Sequence, residues 1–338
     1  MSIGRPEARP RGGEPRLIAD IGGTNARFAL LEGEHTRDEV VLQVDDYAGI
    51  VEAIDAYLHS IGATSGPSRP REAAIAIANP ITGDQIRMTN HVWAFSAEAT
   101  RQRLGFARMI FVNDFTALAM AIRHLPPQDL EQVGGGRGMP GTPLALLGPG
   151  TGLGVSGLIP AGPYWVPLQA EGGHVTLPPA NEREMDVIRV LRQRFSHVSA
   201  ERVLCGPGLV NLYEALCLLD GRAPEQLEPP DITRRALDGS CRICRDTLTM
   251  FCAMLGTVAG NLALTLGALG GVFVGGGIVP SLGRFFASSP FRDHFEDKGR
   301  FADYLAPIPV WVIRSKRPAF VGVARTFDNP GPRLEVTA

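Results

Sequence analysis

The chain has 338 residues, of which 44% are hydrophobic and 20% charged, and its formal net charge at pH 7 is −2. This length exceeds what one hydrophobic core usually holds, so two domains are expected. The nearly balanced charge gives no electrostatic basis for binding nucleic acid or an anionic membrane surface. Five cysteines, an odd number in a long chain with no apolar leader, are typical of a protein of the reducing cytoplasm.

The first segments of the chain predict a tail followed by a glycine-rich hairpin. Residues 1–15 are rich in Pro, Gly, Arg and Glu and are expected to be a disordered tail. In the hairpin predicted at 16–31, an apolar run ends in Asp20, and two glycines followed by Thr24 and Asn25 precede the next apolar run. Glycines let backbone N–H groups approach an anion, and a divalent cation would be needed between Asp20 and a phosphate. The segment suggests a metal–nucleotide site, with a plain Gly-Gly hairpin as the alternative.

Helices and strands alternate in the next hundred residues, which is typical of an α/β layer. The predicted elements are a helix at 48–60, a strand at 73–78, a helix from Ser96 to Leu104, a strand at 109–112 and a helix at 115–123.

Asn113 and Asp114 lie between the predicted strand at 109–112 and the predicted helix at 115–123. Ligands of open α/β sheets bind at the carboxyl ends of strands, so Asp114 is a candidate general base for a phosphoryl transfer. The structural alternative is that Asp114 is the N-cap of the following helix.

A stretch dense in proline and glycine, 125–143, is predicted to be a linker at a domain boundary. Strands are expected beyond it at 144–147, 155–159 and 164–166, around a second glycine turn at 148–154. Because this turn also joins two strands, we interpret it as a duplicate of the first hairpin, and two such hairpins could hold a triphosphate. A lone glycine-rich turn is more often only a turn.

Three further segments carry candidate binding residues. Glu171 and His174 flank two glycines, and their side chains suit vicinal hydroxyls because each hydroxyl both donates and accepts a hydrogen bond. The alternative is an exposed turn, and a metal site is disfavoured because no third ligand is near. From its own segment, Glu201 would be interpreted as a solvated charge. The glycines 275–277 after the apolar run 271–274 could support a flat base or ribose, or form a tight turn.

The last third of the chain is predicted to be mostly helical, at 181–195, 208–219, 231–237 and from about 241 to 266, with a strand at 309–313 and a helix near 319–327. The absence of charge between Thr247 and Gly283 raises the possibility of a membrane span. Polar residues and glycines interrupt that run, so a buried helix is favoured and Gly256-x-x-x-Gly260 is expected to allow close helix packing. Cys241-x-x-Cys244 could indicate metal or redox chemistry, but a single pair at helical spacing is weak evidence for a metal site.

Taken together, seven segments resemble the proteobacterial-type glucokinases, in order and over about residues 16–325. These segments are Ile18–Arg27, Thr89–Trp93, Asn113–Ala117, Gly150–Gly154, Glu171–His174, Ser199–Leu204 and Gly270–Pro280.

The resemblance implies a two-domain actin-like ATPase (ribonuclease H-like) α/β fold with the active site in the interdomain cleft. It implies a small domain of 16–124 with 314–338, a large domain of 125–313, and family members that are typically homodimers. It also implies Mg²⁺- and ATP-dependent phosphorylation of D-glucose at its 6-hydroxyl, which feeds glycolysis.

By position in the family, Asp114 would be the catalytic base. The sugar-hydroxyl ligands would be Asn113, Asp114, Glu171, His174 and Glu201. The nucleotide would be bound by Ala19, Asp20, Ile21, Gly22, Gly23, Thr24, Asn25, Gly150, Thr151, Gly152, Gly275, Gly276 and Gly277. No residue is expected to hold a resident metal ion, and Mg²⁺ would arrive with ATP, near Asp20.

The chain departs from the family pattern at both ends: its N-terminal extension has no assigned role, and the segment after Arg314 lacks the family's glycine-rich pattern. No cysteine-rich zinc motif follows His174, which argues against the related group of sugar kinases and repressors that carries one. The alternatives are a kinase for another hexose, a sugar-responsive regulator and an actin-like filament protein. About 15 residues before the first strand are too few for a helix-turn-helix, which disfavours the regulator. A filament protein would not need the sugar ligands.

Overall fold

The structure, a computed structural model, describes residues 13–89, 91–315, 318–328 and 333–338. Most of the predicted tail, residues 1–12, lies outside the described residues, and so does position 90. The described chain divides into two compact units, one holding the residues up to Ala121 together with those from Pro318 onward, and the other running from Ile122 to Ser315. The predicted small domain, 16–124 with 314–338, and the predicted large domain, 125–313, remain predictions.

The first unit is built on a mixed sheet with the strand order β14-β7-β4-β1-β2-β3, and a two-stranded ribbon, β5-β6, lies beside it. Elements are numbered along the whole chain. The strands are β1 (Arg16–Ile21), β2 (Asn25–Glu32), β3 (His35–Gln43), β4 (Glu72–Ile77), β5 (Gln85–Arg87), β6 (Ala94–Ser96), β7 (Arg108–Asn113) and β14 (Leu334–Thr337). The helices are α1 (Ile50–Ser60), α2 (Ala97–Leu104), α3 (Asp114–Ala121) and α12 (Pro318–Arg325).

Both faces of this sheet are covered, as the apolar composition of its inner strands requires. Along β1, Leu17 and Ile21 belong to the core that includes α1 residues, whereas Ile18 belongs to the core on the opposite face, with Phe320 of α12. The alternation follows from the two-residue period of a strand. Helix α2 has the expected ends, because the Ser96 hydroxyl accepts from the N–H of Ala99 and a left-handed glycine follows Leu104.

The second unit contains a sheet with the order β11-β10-β9-β12-β13-β8 and most of the helices. Its strands are β8 (Leu130–Gln132), β9 (Leu144–Pro149), β10 (Leu153–Ala161), β11 (Tyr164–Pro167), β12 (Gly271–Val274) and β13 (Val310–Ile313). Its helices are α4 (Glu182–Leu191), α5 (Gly206–Leu219), α6 (Pro229–Leu237), α7 (Arg242–Leu266), α8 (Ile278–Leu282), α9 (Arg284–Ala287), α10 (Phe291–Glu296) and α11 (Ala302–Leu305).

The two sheets repeat one topology. In the first, β3-β2-β1 are antiparallel neighbours, β1-β4-β7 are parallel, and β14 is antiparallel to β7. In the second, β11-β10-β9 are likewise antiparallel neighbours, β9-β12-β13 are parallel, and β8 is antiparallel to β13. The predicted duplication of a glycine-tipped hairpin is therefore confirmed, and it extends to the whole six-stranded sheet.

Helix α7 is long and apolar enough to cross a membrane by length and composition, and among the described residues it alone passes that test. Its apolar window is 72% buried inside the protein, and the helix packs against α5, α6 and α10. A Cβ at Gly256 or Gly260 would collide with backbone carbonyls of α10, so the Gly-x-x-x-Gly pattern serves close helix packing as predicted. Helix α7 is thus the core helix of the second unit.

The structure corrects the interpretation of 125–143 as a linker, because this stretch contains β8, which pairs with β13 at the sheet edge. The sequence analysis also missed β3 and β14, whose side chains are mostly exposed or half-buried. It missed the three-residue strands β5 and β6 and the short helices α8 to α11 as well. The other predicted strands and helices are present, with ends displaced by a few residues.

Candidate active site

The first glycine hairpin places Asp20 near the end of β1, directly opposite Arg27 on β2. Their side chains form an ion pair of 3.6 Å between Arg27 Nη1 and Asp20 Oδ2. Burial raises the pKa of Asp20, and Arg27 works against that rise. Arg27 carried no role in the sequence analysis, although a basic residue that faces Asp20 across a short turn is the signal that could have found it.

The remaining residues of this hairpin differ in what they offer a ligand. Ala19 and Ile21 are fully buried, so only their backbones could contribute. The turn itself closes with a 2.9 Å hydrogen bond from the N–H of Gly22 to the carbonyl of Asn25. The side-chain oxygen of Asn25 accepts from Gln43 Nε2 over 2.9 Å, which ties the hairpin tip to β3. The tip between the two strands consists of Gly22, Gly23 and Thr24, and none of these three residues is buried.

Asn113 and Asp114 lie at the junction of β7 and α3, but their roles there differ from the expected ones. The N-cap is Asn113, whose Oδ1 accepts hydrogen bonds from the N–H groups of Phe115 (2.9 Å) and Thr116 (3.1 Å). Asp114 is the first residue of the helix, and its Oδ1 accepts from the Phe115 N–H over 2.9 Å. The structural alternative of Asp114 as N-cap is therefore wrong.

The amide nitrogen of Asn113 takes no part in capping and makes a separate contact. Its Nδ2 donates to the carbonyl of Asn79 over 3.3 Å, at the end of the neighbouring strand β4. The Asn79 side chain in turn accepts from the Thr89 hydroxyl over 2.6 Å. This network of Asn79 and Thr89, absent from the predicted site, fixes the orientation of Asn113.

The Asp114 carboxyl is electrostatically suited to exchange a proton near neutral pH. Burial raises its pKa to about 6, and the nearby Asp20 carboxylate adds to that rise, while the hydrogen bond from the Phe115 N–H opposes it. A carboxylate with a raised pKa is the kind of group that general-base catalysis requires.

The second glycine hairpin, between β9 and β10, is in contact with Glu201. The Oε2 of Glu201 accepts from the backbone N–H of Leu153 over 2.8 Å. A Cβ at Gly152 would lie 2.5 Å from that same oxygen, so glycine is required there for the carboxylate to approach. The N–H of Gly206, at the start of α5, donates to the carbonyl of Gly150 over 2.8 Å. Because its carboxylate is hydrogen-bonded to this hairpin, the interpretation of Glu201 as a solvated charge is wrong.

Glu171 and His174 lie at the two ends of a short 3-10 turn beside Glu201. His174 Nε2 is 3.9 Å from Glu171 Oε2, and His174 Nδ1 is 3.9 Å from Glu201 Oε1. Glu171 and His174 are about 60% exposed, at 58% and 60%. Two acidic side chains and one imidazole therefore present hydrogen-bonding atoms to solvent from one place, as the predicted sugar ligands should.

A polar cavity of about 440 Å³ adjoins this cluster and is lined by His174 and Glu201 together with Arg194, Phe195 and Arg202. This volume is in the usual range of small-molecule sites. The two arginines stack on the Phe195 ring, with guanidinium carbons 5.4 Å and 4.5 Å from its centroid. The sequence analysis assigned no role to any of these three residues, although Arg202 lies in the family-like segment Ser199–Leu204.

The glycines 275–277 follow β12, next to β9. The N–H of Gly275 donates to the Leu147 carbonyl over 2.8 Å. The glycine segment therefore starts beside the end of β9, where the second hairpin begins. The predicted site residues thus fall into two sets, one in each unit. Asp20, Asn113 and Asp114 belong to the first unit, and Gly150–Gly152, Glu171, His174, Glu201 and Gly275–Gly277 belong to the second. No group of three or more His, Cys, Asp or Glu side chains suited to a metal ion occurs among the described residues.

Solved structures identify the class of protein that has this fold. A glucokinase from an Antarctic psychrotroph superposes with a TM-score of 0.84 at 33% identity, covering 93% of this chain and 98% of that one. A glucokinase from Balamuthia mandrillaris in complex with glucose has a TM-score of 0.73 at 19% identity, covering 92% of each chain. A ROK family glucokinase from Streptomyces griseus, in complex with glucose and AMPPNP, has a TM-score of 0.61 at 20% identity, covering 92% of this chain and 98% of that one. The fold is that of the actin-like sugar kinases.

Sequence comparison narrows the class to one family. The glucokinase family model matches residues 17–330. A glucokinase from Aromatoleum aromaticum is 53% identical over 93% of this chain and 95% of its own length, and one from Chromobacterium violaceum is 51% identical over 99% and 94%. The chain belongs to the glucokinase family.

Proposed function

We propose that this chain is a glucokinase that transfers the γ-phosphoryl group of ATP to the 6-hydroxyl of D-glucose, giving glucose 6-phosphate and ADP. The observation that carries the proposal is the 53% identity to a curated glucokinase over 93% of the chain. The geometry supports it independently, because a carboxyl of raised pKa and a cluster of sugar-type ligands occupy the matching positions.

In the proposed reaction Asp114 accepts the proton of the 6-hydroxyl as that oxygen attacks the γ-phosphorus and the bond to the β-phosphate oxygen breaks. Its pKa of about 6 keeps it ionised at pH 7, yet basic enough to accept a proton in the transition state. Asn113 positions Asp114 by capping α3, and its amide nitrogen faces the same strand ends. Glu171, His174 and Glu201 accept and donate hydrogen bonds to the sugar hydroxyls.

The backbone N–H groups of the two glycine hairpins would bind the phosphates of ATP, and the glycines after β12 would border the adenosine. Asp20 fits a magnesium ion in its donor type, since carboxylate oxygens are the ligands that Mg²⁺ prefers, and it lies at the hairpin tip. When bound, Mg²⁺ would neutralise phosphate charge. A homodimer, a cytoplasmic location and a role at the entry to glycolysis belong to the same proposal.

The test is a turnover assay of the purified protein with ATP, Mg²⁺ and a panel of glucose, fructose, mannose and N-acetylglucosamine. ADP formation is measured for each sugar, and formation of glucose 6-phosphate is detected with a dehydrogenase specific for it. Turnover with glucose that gives the 6-phosphate is the expected result. Turnover only with another hexose would reject the substrate but keep the mechanism. No turnover with any sugar, in a folded protein, would reject the kinase.

The matched control is Asp114→Asn, which keeps the shape of the side chain and its hydrogen bond from the Phe115 N–H. Because Asp114 lies in one unit and Glu171 in the other, loss of turnover in the first variant and a raised glucose KM in Glu171→Gln would show that both sets act on one sugar. A Glu171→Gln variant in which only the KM for ATP rises would remove Glu171 from the sugar ligands.

A further inference from the structure

Three of the five cysteines gather at the N-terminus of helix α7. Cys241 is the N-cap of this helix, and its Sγ accepts a hydrogen bond from the N–H of Cys244 over 3.4 Å. Cys244 lies one helical turn further along α7, and helix α5, which carries Cys217, packs against α7. All five cysteines are free thiols.

The two cysteines of the Cys-x-x-Cys pair differ in ways that suit different chemical roles. Cys241 is partly exposed, so a dissolved disulfide can reach its sulfur, which lies at the N-cap of α7 and accepts the hydrogen bond from the Cys244 N–H. The guanidinium of Arg235, on α6, lies near both thiols, but it is ion-paired with Glu225 over 2.9 Å, so its charge is partly neutralised. Cys244 is fully buried, so it is shielded from a dissolved disulfide and can react only with a sulfur already bound at Cys241, and burial raises the pKa of its thiol to about 12.

We propose that Cys241 and Cys244 form a redox-active dithiol that reacts with small-molecule disulfides. The thiolate of Cys241 attacks one sulfur of the disulfide, a mixed disulfide forms, and one thiolate of the small molecule leaves. The Cys244 sulfur then attacks Cys241, its proton passes to the departing sulfur, and the second thiol of the small molecule leaves. In sum, two protein thiols and one small-molecule disulfide give one protein disulfide and two small-molecule thiols.

Cys217 is the neighbour that could compete with Cys244, and its surroundings disfavour it. It is 1% exposed, burial raises the pKa of its thiol, and the hydroxyl of Tyr213 is hydrogen-bonded to it. A zinc site would be the other use of clustered thiols, but no suitable group of three metal-binding side chains occurs in the part of the chain that is described.

Cys217, the neighbour of the Cys241–Cys244 pair, and the second glycine hairpin lie at opposite ends of helix α5. Helix α5 starts at Gly206, which is hydrogen-bonded to Gly150 of the second hairpin, and Cys217 lies eleven residues further along this helix. At about 1.5 Å per residue, this separation is roughly 16 Å. The inference therefore does not rest on the proposed kinase activity, and the two can fail separately.

The test incubates the reduced, folded protein with an excess of oxidised glutathione and counts the remaining thiols, with peptide mass mapping of the product. The expected result is loss of two of the five thiols, a Cys241–Cys244 linkage, and full reversal by dithiothreitol. An unchanged thiol count, or a linkage that includes Cys217, would overturn the proposal.

Two variants separate the roles, and a third is the matched control. Cys241→Ser should lose no thiols, and it keeps the helix start because serine is a good N-cap. Cys244→Ala should stop at the mixed disulfide, with one glutathionyl group retained on Cys241. Cys252→Ala, which removes a buried thiol of the same helix, should behave as the wild type. Two thiols lost from Cys241→Ser would also reject the assignment.

Discussion

The backbone N–H of Leu153 donates to Oε2 of Glu201 over 2.8 Å, so a candidate sugar ligand is hydrogen-bonded directly to the second glycine hairpin. Gly152 is the residue that allows this contact, because a Cβ there would lie 2.5 Å from the same oxygen. A movement of the hairpin should therefore move the carboxylate that faces His174. This contact links the predicted phosphate-binding and sugar-binding parts of the second unit.

Gly152→Ala should weaken glucose binding by displacing the Glu201 carboxylate. The flexible end of Glu201 would move away and lose its hydrogen bond from the Leu153 N–H. A hydrogen bond to a charged group is worth about 1.5–3 kcal/mol, which corresponds to a roughly 10- to 150-fold rise in the KM for glucose if all of it falls on binding. Steady-state kinetics with each substrate varied in turn would measure it. The matched control is the same change in a Glu201→Ala background, where it should add little because the two residues act through one contact. Full additivity would contradict the explanation.

Asp114→Asn should lower kcat by roughly 10²–10⁴-fold, which is the usual contribution of a general base. In the wild-type protein kcat should fall as the pH drops below about 6, because the pKa of Asp114 is raised to about 6 and only the ionised form accepts a proton. A pH–rate profile of both proteins measures this. A wild-type acid limb near pH 4, or one that persists in the variant, would remove Asp114 from the role of base.

The same pKa has a consequence for stability. A carboxyl whose pKa is higher in the folded than in the unfolded state binds its proton more tightly when folded, so it favours folding at low pH, and this contribution is lost as the pH rises through about 6. Asp114→Asn should therefore stabilise the protein at pH 8 by about 1–2 kcal/mol, less than the whole shift implies because Asp114 is partly exposed. Thermal unfolding at pH 8 and pH 4.5 should show a clearly larger gain at the higher pH, because the stabilising contribution of the protonated carboxyl is lost between these two values.

The sequence could predict a site residue when the pattern of its own segment marks it, and could not when its role depends on a contact with a distant segment. Glycine hairpins and strand ends are local patterns, so the positions of Asp20, Asp114 and Glu171 could be predicted from spacing. The importance of Glu201 could not be inferred from its own segment, because it arises from a contact with a hairpin 48 residues earlier. The capping role of Asn113 depends on a choice between adjacent residues that both cap well, which propensity does not decide.

The same distinction applies to the fold. The inner strands of both sheets are apolar on both faces and were predictable, whereas β8 is a three-residue strand in a segment rich in glycine and proline. It forms because the edge of β13 offers unpaired backbone groups, a cause that lies about 180 residues away. The whole-sheet duplication could be suspected from the two hairpins. Of the edge strands that complete it, β11 was predicted, whereas β8 and β14 are too short, at three and four residues, for a clear pattern.

Asn113→Asp should shift the acid limb of the pH–rate profile to higher pH. An aspartate keeps an oxygen to cap the N–H groups of Phe115 and Thr116, so α3 should remain folded. It also puts a second negative charge beside Asp114, and a like charge raises the pKa of a neighbouring carboxyl. Asn113→Ala is the comparison, since it removes the cap without adding charge and should cost about 1 kcal/mol of stability. An unmoved acid limb in Asn113→Asp would show that the two side chains do not interact.

Gly322→Ala tests whether the C-terminal helix holds the catalytic helix in place. A Cβ at Gly322 of α12 would collide with the carbonyl of Ala117 in α3, so the helices would have to separate. We expect a loss of about 1–3 kcal/mol of stability and a fall in kcat, because α3 begins at Asp114 and moves with it. Gly83→Ala, in the same unit, is the matched control because its Cβ would meet no atom within 4 Å. Loss of stability with an unchanged kcat would mean that α3 keeps Asp114 in position without α12.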